Sequence, residues 1–206
     1  MTTTIEVYFD FRSPYACFVS HRIRRGLSQS GIAFTWRPVS IDMLLNLQAG
    51  REPFAAYVDR LSEPKRAHLV ADVRRLASYY DLPLKPTKPP RPNSTPALCL
   101  AEGLAQSQRA HFIHAVFDAL WQQQRDIADA GVLARCLAQS GAPADAPSRA
   151  FEPAARAELV ARTAEAYTRG VFGVPTFVCD GETFFGHDRL DLLLWTLERR
   201  APPNRS

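Results

Sequence analysis

The stretch YFDFRSPYAC, residues 8–17, decides the fold, because it carries a β-strand straight into the head of a helix. IEVYFDF (5–11) is rich in β-branched and aromatic residues and partly alternates, as a strand does. Ser13-Pro14 then opens a helix: a serine at N-cap accepts a first-turn N–H, and a proline at N1 has the helical φ and no N–H to lose. A helix head presents unpaired N–H groups and partial positive charge, so it favours an anion. The residues alone leave open whether Ser13 only caps the helix or also serves a reactive group above it.

Working outward, the helix is expected to run to about Ser28 and to stop in SQSG (28–31). IAFTWRPV (32–39) is a second strand, and β-α-β implies parallel pairing in an α/β sheet. From about Met43 to Ala138 the apolar residues fall at helical spacing. Phe54, Tyr57, Val58 and Leu61 form one expected stripe, and Leu69, Val73, Leu76 and Tyr80 another. The strongest is Phe112, Ile113, Val116, Phe117, Leu120 and Trp121. The segment at 81–97 holds six prolines and reads as an extended connection. A helix from about Pro153 to Arg169, a strand VPTFVCD, an Asp180-Gly181 hairpin turn, a return strand ETFFG and a helix from Asp188 complete the chain.

The ends thus supply β-α-β and α-β-β-α around a long helical block. That is a thioredoxin-like α/β layout, with residues 1–42 and 153–206 forming the discontinuous domain and 43–152 a large inserted all-helical domain. Thioredoxin-like proteins carry C-x-x-C at this helix head; here it is SPYA (13–16), with no thiol at position 13 or 16.

Composition narrows the function. The chain has 206 residues, 46% of them apolar and 22% charged, as in an ordinary globular protein. Its net charge of +4 rests on 22 arginines against 3 lysines, scattered over amphipathic helices rather than gathered into a nucleic-acid stripe. No apolar run reaches the ~20 residues needed to span a bilayer. MTTTIEVYFD shows neither a basic n-region nor an apolar h-region, so the expected address is the cytoplasm. Cys17, Cys99, Cys136 and Cys179 have no metal-ligand spacing and are expected as buried free thiols.

FDFRSPYA (9–16) resembles the opening of the kappa-class glutathione transferases and 2-hydroxychromene-2-carboxylate isomerases. GVFGVPTFVCDGETFFGHDRLDLL (170–193) resembles their closing segment, and LWQQQRDIAD (120–129) their central pattern. The resemblance implies a DsbA-like thioredoxin domain that uses glutathione as its thiol, with Ser13 in the place of the redox cysteine. It implies a glutathione-dependent isomerase of aromatic catabolism acting on a small aromatic carboxylate, and a homodimer. A kappa-type transferase or peroxidase is the alternative; a DsbA-like dithiol oxidoreductase and a non-catalytic binding protein are less favoured.

By the same resemblance Ser13 is the catalytic hydrogen-bond donor to the glutathione thiolate. Val174-Pro175 matches the family's cis-proline turn, whose backbone pairs with the cysteinyl part. Asp188 matches the aspartate for the γ-glutamyl ammonium. His187 departs from the small or amide residue usual there but is expected near the α-carboxylate. Arg51, which stands where relatives carry asparagine, and Arg91 and Asn93 in RPNS (91–94) are candidate substrate-binding residues. The serine is expected to face a conflict, one hydroxyl both capping and donating, with first-turn N–H groups sharing the duty.

Overall fold

The computed structural model describes residues 2–27, 31–56, 58, 61–142 and 150–200. Strands β1 (Thr3–Phe9), β2 (Ile32–Pro38), β3 (Thr176–Cys179) and β4 (Glu182–Phe185) form one sheet in the order β2-β1-β3-β4. β1 and β2 pair in parallel, while β3 runs antiparallel to both β1 and β4. The β3–β4 register sets Cys179 opposite Glu182, so the loop is two residues long. Asp180 and Gly181 have φ of 49° and 80°, the backbone of a type I′ turn.

Helices α1 (Pro14–Arg24) and α8 (Arg189–Arg200) share the core on one face of the sheet, and α2 (Ile41–Gln48) and α7 (Pro153–Thr168) share that on the other. The insertion supplies α3 (Glu63–Tyr79), α4 (Thr95–Gly103), α5 (Gln106–Trp121) and α6 (Ala130–Ser140). One apolar cluster runs from Ile5, Val7 and Phe9 of β1 through Phe18 of α1 into α5 and α6. All six residues of the strongest predicted stripe are buried there. An aromatic chain carries the contact: Phe9 meets Phe11 edge-on at 5.2 Å, and Phe11 meets Phe117 at 5.1 Å. The Trp121 indole N–H donates to the Phe11 carbonyl at 2.8 Å, so the insertion grips the chain two residues before Ser13.

Two expectations need correction. α1 stops at Arg24 rather than near Ser28, which lies outside the described residues: Arg25 caps it by donating to the His21 carbonyl, and Gly26 takes φ +108°, which ends the helix. The described residues of the Phe54–Leu61 stripe are not helical either. Residues 53–55 turn, because Pro53 brings no N–H and the buried Asn46 amide donates to the carbonyls of Pro53 and Ala55 at 3.0 and 2.9 Å. Phe54 lies out in solvent beneath the Arg156 guanidinium, 4.7 Å from its ring centre, Val58 is exposed, and Tyr57 falls outside the described residues. In the second stripe Val73, Leu76 and Tyr80 pack on the core, yet no residue of α3 is fully buried.

His114 on α5 gives the fold a pH dependence. Its Nδ1 lies 2.6 Å from the Ser20 hydroxyl oxygen of α1. Burial first, then the charges of Arg24 and His111, push its pKa from 6.5 down to about 4. The unfolded chain therefore binds this proton at a higher pH than the folded chain does. Stability falls as pH drops between those two values, by about 2–3 kcal/mol at about pH 4.5. His114→Asn is expected to lose that much less than wild type between about pH 7 and 4.5 in urea titrations. Equal losses would assign the acid limb to other groups.

Candidate active site

Ser13 is buried at the head of α1, and its oxygen accepts the Ala16 N–H at 3.2 Å as a helix cap. Its proton points elsewhere: the hydroxyl donates to the Val174 carbonyl at 3.4 Å, a long and weak bond. Capping uses a lone pair and donation uses the hydrogen, so the conflict expected from sequence does not arise. The Val174–Pro175 peptide is cis, and its Val174 carbonyl is the one that takes the Ser13 hydroxyl.

Asp10 fixes this loop from below. Nearly inaccessible, it accepts the backbone N–H of Arg12 and of Ile41, the first residue of α2, both at 2.9 Å, while the Ser13 N–H donates to its carbonyl. Burial raises its pKa; the N–H and charge of Arg12, the Ile41 N–H and the Ser94 hydroxyl pull the other way without cancelling it.

The 186–188 turn closes the other side. The Gly186 N–H donates to the Pro175 carbonyl at 2.9 Å. Gly186 has φ +107°, and a Cβ there would stand 2.7 Å from the Asp188 carboxylate, so only glycine lets Asp188 sit over the turn. Asp188 is exposed and lies 3.3 Å from Arg189, a solvent-screened pair. His187 lies flat on the Tyr15 ring, centres 5.2 Å apart and planes 12° apart, and its buried Nδ1 has no hydrogen-bond partner among the described residues.

Beside Ser13, the Arg12 guanidinium pairs with Asp42 of α2, whose other oxygen takes Arg91 at 3.1 Å. This ridge divides two clefts. The larger, about 470 Å³, combines Arg12, Arg51 and Lys65 with apolar Ile41, Leu45 and Leu61. Arg51 is held by donation to the Ala56 carbonyl at 2.7 Å. The smaller, about 190 Å³, includes Arg91 and Asn93, whose side-chain oxygen accepts the Thr95 N–H at 3.1 Å. Ser13, Val174, Pro175 and the 186–188 turn are thus directly bonded together. Arg51, Arg91 and Asn93 gather instead around Arg12 and Asp42, two residues that sequence reasoning passed over although Arg12 precedes Ser13.

A DSBA-like thioredoxin domain model matches residues 4–198. The 2-hydroxychromene-2-carboxylate isomerase of Sphingobium xenophagum is 31% identical over 195 residues, 94% of this chain and 97% of its own. The chain belongs to the DSBA-like thioredoxin family, in its 2-hydroxychromene-2-carboxylate isomerase branch. A second relative of that name, from Pseudomonas sp. strain C18, is 29% identical over 203 residues, covering 92% of this chain and 87% of its own. The solved structure of a 2-hydroxychromene-2-carboxylate isomerase superposes with a TM-score of 0.82 at 24% identity, over 96% of this chain and 95% of that one. The relatives' shared name supports an isomerase in this branch of the family.

This DSBA-like chain carries no thiol at its site. Cys17 is buried and its thiol is pushed far up by burial; burial also raises Cys99 and Cys179, and takes Cys136 to about 11. Among the described residues no cluster of three or more His, Cys, Asp or Glu is placed to hold a metal, and no helix is long and apolar enough to cross a membrane.

Proposed function

We propose that this protein is a glutathione-dependent isomerase interconverting 2-hydroxychromene-2-carboxylate and trans-o-hydroxybenzylidenepyruvate, or a closely related aromatic enone acid. The observation that carries this reading is the buried Ser13, capped through its oxygen, with its proton spent only on a 3.4 Å bond to the carbonyl before a cis-proline. A hydroxyl so placed is a ready donor to an anion at the α1 head.

The residues present fit glutathione. The ammonium of its γ-glutamyl end suits the exposed Asp188, the carboxylate of its glycyl end suits the cations around the 470 Å³ cleft, and its sulfur suits Ser13. When bound, glutathione supplies a thiolate that adds reversibly to the β-carbon of an enone, freeing the former double bond to rotate before elimination. Ser13 donates a charge-assisted hydrogen bond that favours the ionised sulfur, and the first-turn N–H groups of α1 add their partial charge. Arg12, Arg51 and Arg91 offer guanidinium groups to a substrate carboxylate and to the oxygen that gains charge as the enone is attacked. Ile41, Leu45, Val58 and Leu61 present apolar surface to an aromatic ring.

The test is the absorbance change of 2-hydroxychromene-2-carboxylate with and without reduced glutathione. The proposal expects isomerisation only with glutathione, which is recovered unconsumed. Stoichiometric consumption would mark a transferase. Turnover without glutathione, or no binding at millimolar glutathione by calorimetry, would overturn the reading.

A further inference from the structure

We propose that His187 is a positioning residue of this site: its imidazole, laid on the Tyr15 ring, holds the heads of α1 and α8 together, and adding a proton to the ring loosens that hold. The geometry starts from three segments joined pairwise. The Ser13 hydroxyl ties the α1 head to Val174, the Gly186 N–H ties the 186–188 turn to Pro175, and the Tyr15–His187 stack closes the triangle between α1 and the turn. Tyr15 is itself anchored, its hydroxyl donating to Asp72 of α3 at 3.1 Å. His187 is thus one residue from Asp188, and its stacking partner is two residues from Ser13.

The ring sits where a proton is unwelcome. Its buried Nδ1 has no partner among the described residues, so a protonated ring would bury an N–H that none of them accepts. Asp188 and Asp191 on the α8 side and Asp72 on α3 favour the charged ring, and Arg22 on α1 opposes it. The Tyr15, Phe18 and Tyr80 rings are neutral walls. Burial is the largest influence, and the net effect holds the pKa below the ordinary imidazole value. The junction is also underbonded. The three buried side-chain nitrogens without a partner among the described residues, His21 Nδ1, Arg22 Nη1 and His187 Nδ1, belong to three residues that all border Tyr80. A charged ring therefore gains by withdrawing from the stack, and Asp188 moves with it.

The consequence for glutathione rests on the function proposed above; the stack does not. In the ligand-free protein, NMR follows the His187 imidazole and the amides of Ser13, Tyr15, Ala16, Gly186 and Asp188 from about pH 7.5 to about pH 5. Amides on both segments are expected to shift with the imidazole in wild type and to stay still in His187→Phe. If α1 amides ignore the imidazole, or shift equally in His187→Phe, the proposal fails. With glutathione, the wild-type KM is expected to climb on acidification through the same titration while kcat does not, and His187→Phe abolishes the climb. His187→Ala lacks the ring, and its KM is expected roughly two- to ten-fold above that of His187→Phe. A climb that persists in His187→Phe overturns the proposal. Failure of wild type to bind glutathione would instead remove the proposed function, and the amide titration would still decide the role of His187.

Discussion

Ser13→Ala is expected to fold normally and to lose about 10²–10³ of kcat/KM in glutathione-dependent isomerisation. The structural cost is small. Ala16 loses a cap acceptor and Val174 a weak donor, together about 1 kcal/mol, and Pro14 at N1 still presets the helix. The chemical cost is larger, because the hydroxyl proton is a side-chain donor at the α1 head aimed across at the cis-proline turn. Without it the bound thiol ionises less readily, so the alkaline shift of the pH–rate profile should accompany the loss of rate. Calorimetry at several pH values separates the two effects: less proton release on glutathione binding is expected in the variant. A kcat/KM within twofold of wild type, with the same pH profile, would leave Ser13 as a helix cap and nothing more.

Arg109→Met is expected to destabilise the protein by about 3–5 kcal/mol in urea unfolding. Arg109 is only 6% exposed, though it carries a full charge. Its guanidinium donates to the Trp36 carbonyl at 3.0 Å, to the Leu104 carbonyl at 3.0 and 3.2 Å, and to the Glu102 carbonyl; the Glu102 carboxylate stands 3.7 Å away. The carbonyls of Glu102 and Leu104 lie where α4 ends, so Arg109 does the work of a C-cap. Trp36 lies on β2, an edge strand, so the same side chain also covers an acceptor at the sheet margin. Methionine fills much of the stem volume but leaves three carbonyls underpaired and the half-buried Glu102 carboxylate with Arg162 alone among the described residues, at 3.5 Å. Lysine keeps the charge without the planar fork, so Arg109→Lys should recover part of the loss. A loss below about 1 kcal/mol in Arg109→Met would mean that water replaces the guanidinium at little cost.

Neither expectation for Arg109 was legible in the sequence, where it is one more arginine on a helix between Gln108 and Ala110. Ser13 was. The difference is one of range. Ser13-Pro14, Asp180-Gly181 and the Phe112–Trp121 stripe act through rules that operate within one turn of helix or one hairpin. Their conformations follow from a hydroxyl near an N–H, a ring that presets φ, or a face repeating every few residues. The same locality made the order of strands and helices readable, and with it the thioredoxin-like layout. It also misled where a distant group intervened: Phe54, Val58 and Leu61 have helical spacing, but the Asn46 amide holds the carbonyls of Pro53 and Ala55 in a turn. Tertiary structure alone decided that Arg12 meets Asp42, that Asp42 also takes Arg91, that Ser13 spends its proton on Val174, and that His187 stacks on Tyr15. Each of these pairs joins residues about 30 to more than 160 positions apart in the chain. Their meeting depends on how the sheet and the helical insertion pack, a global outcome that no short stretch of sequence encodes.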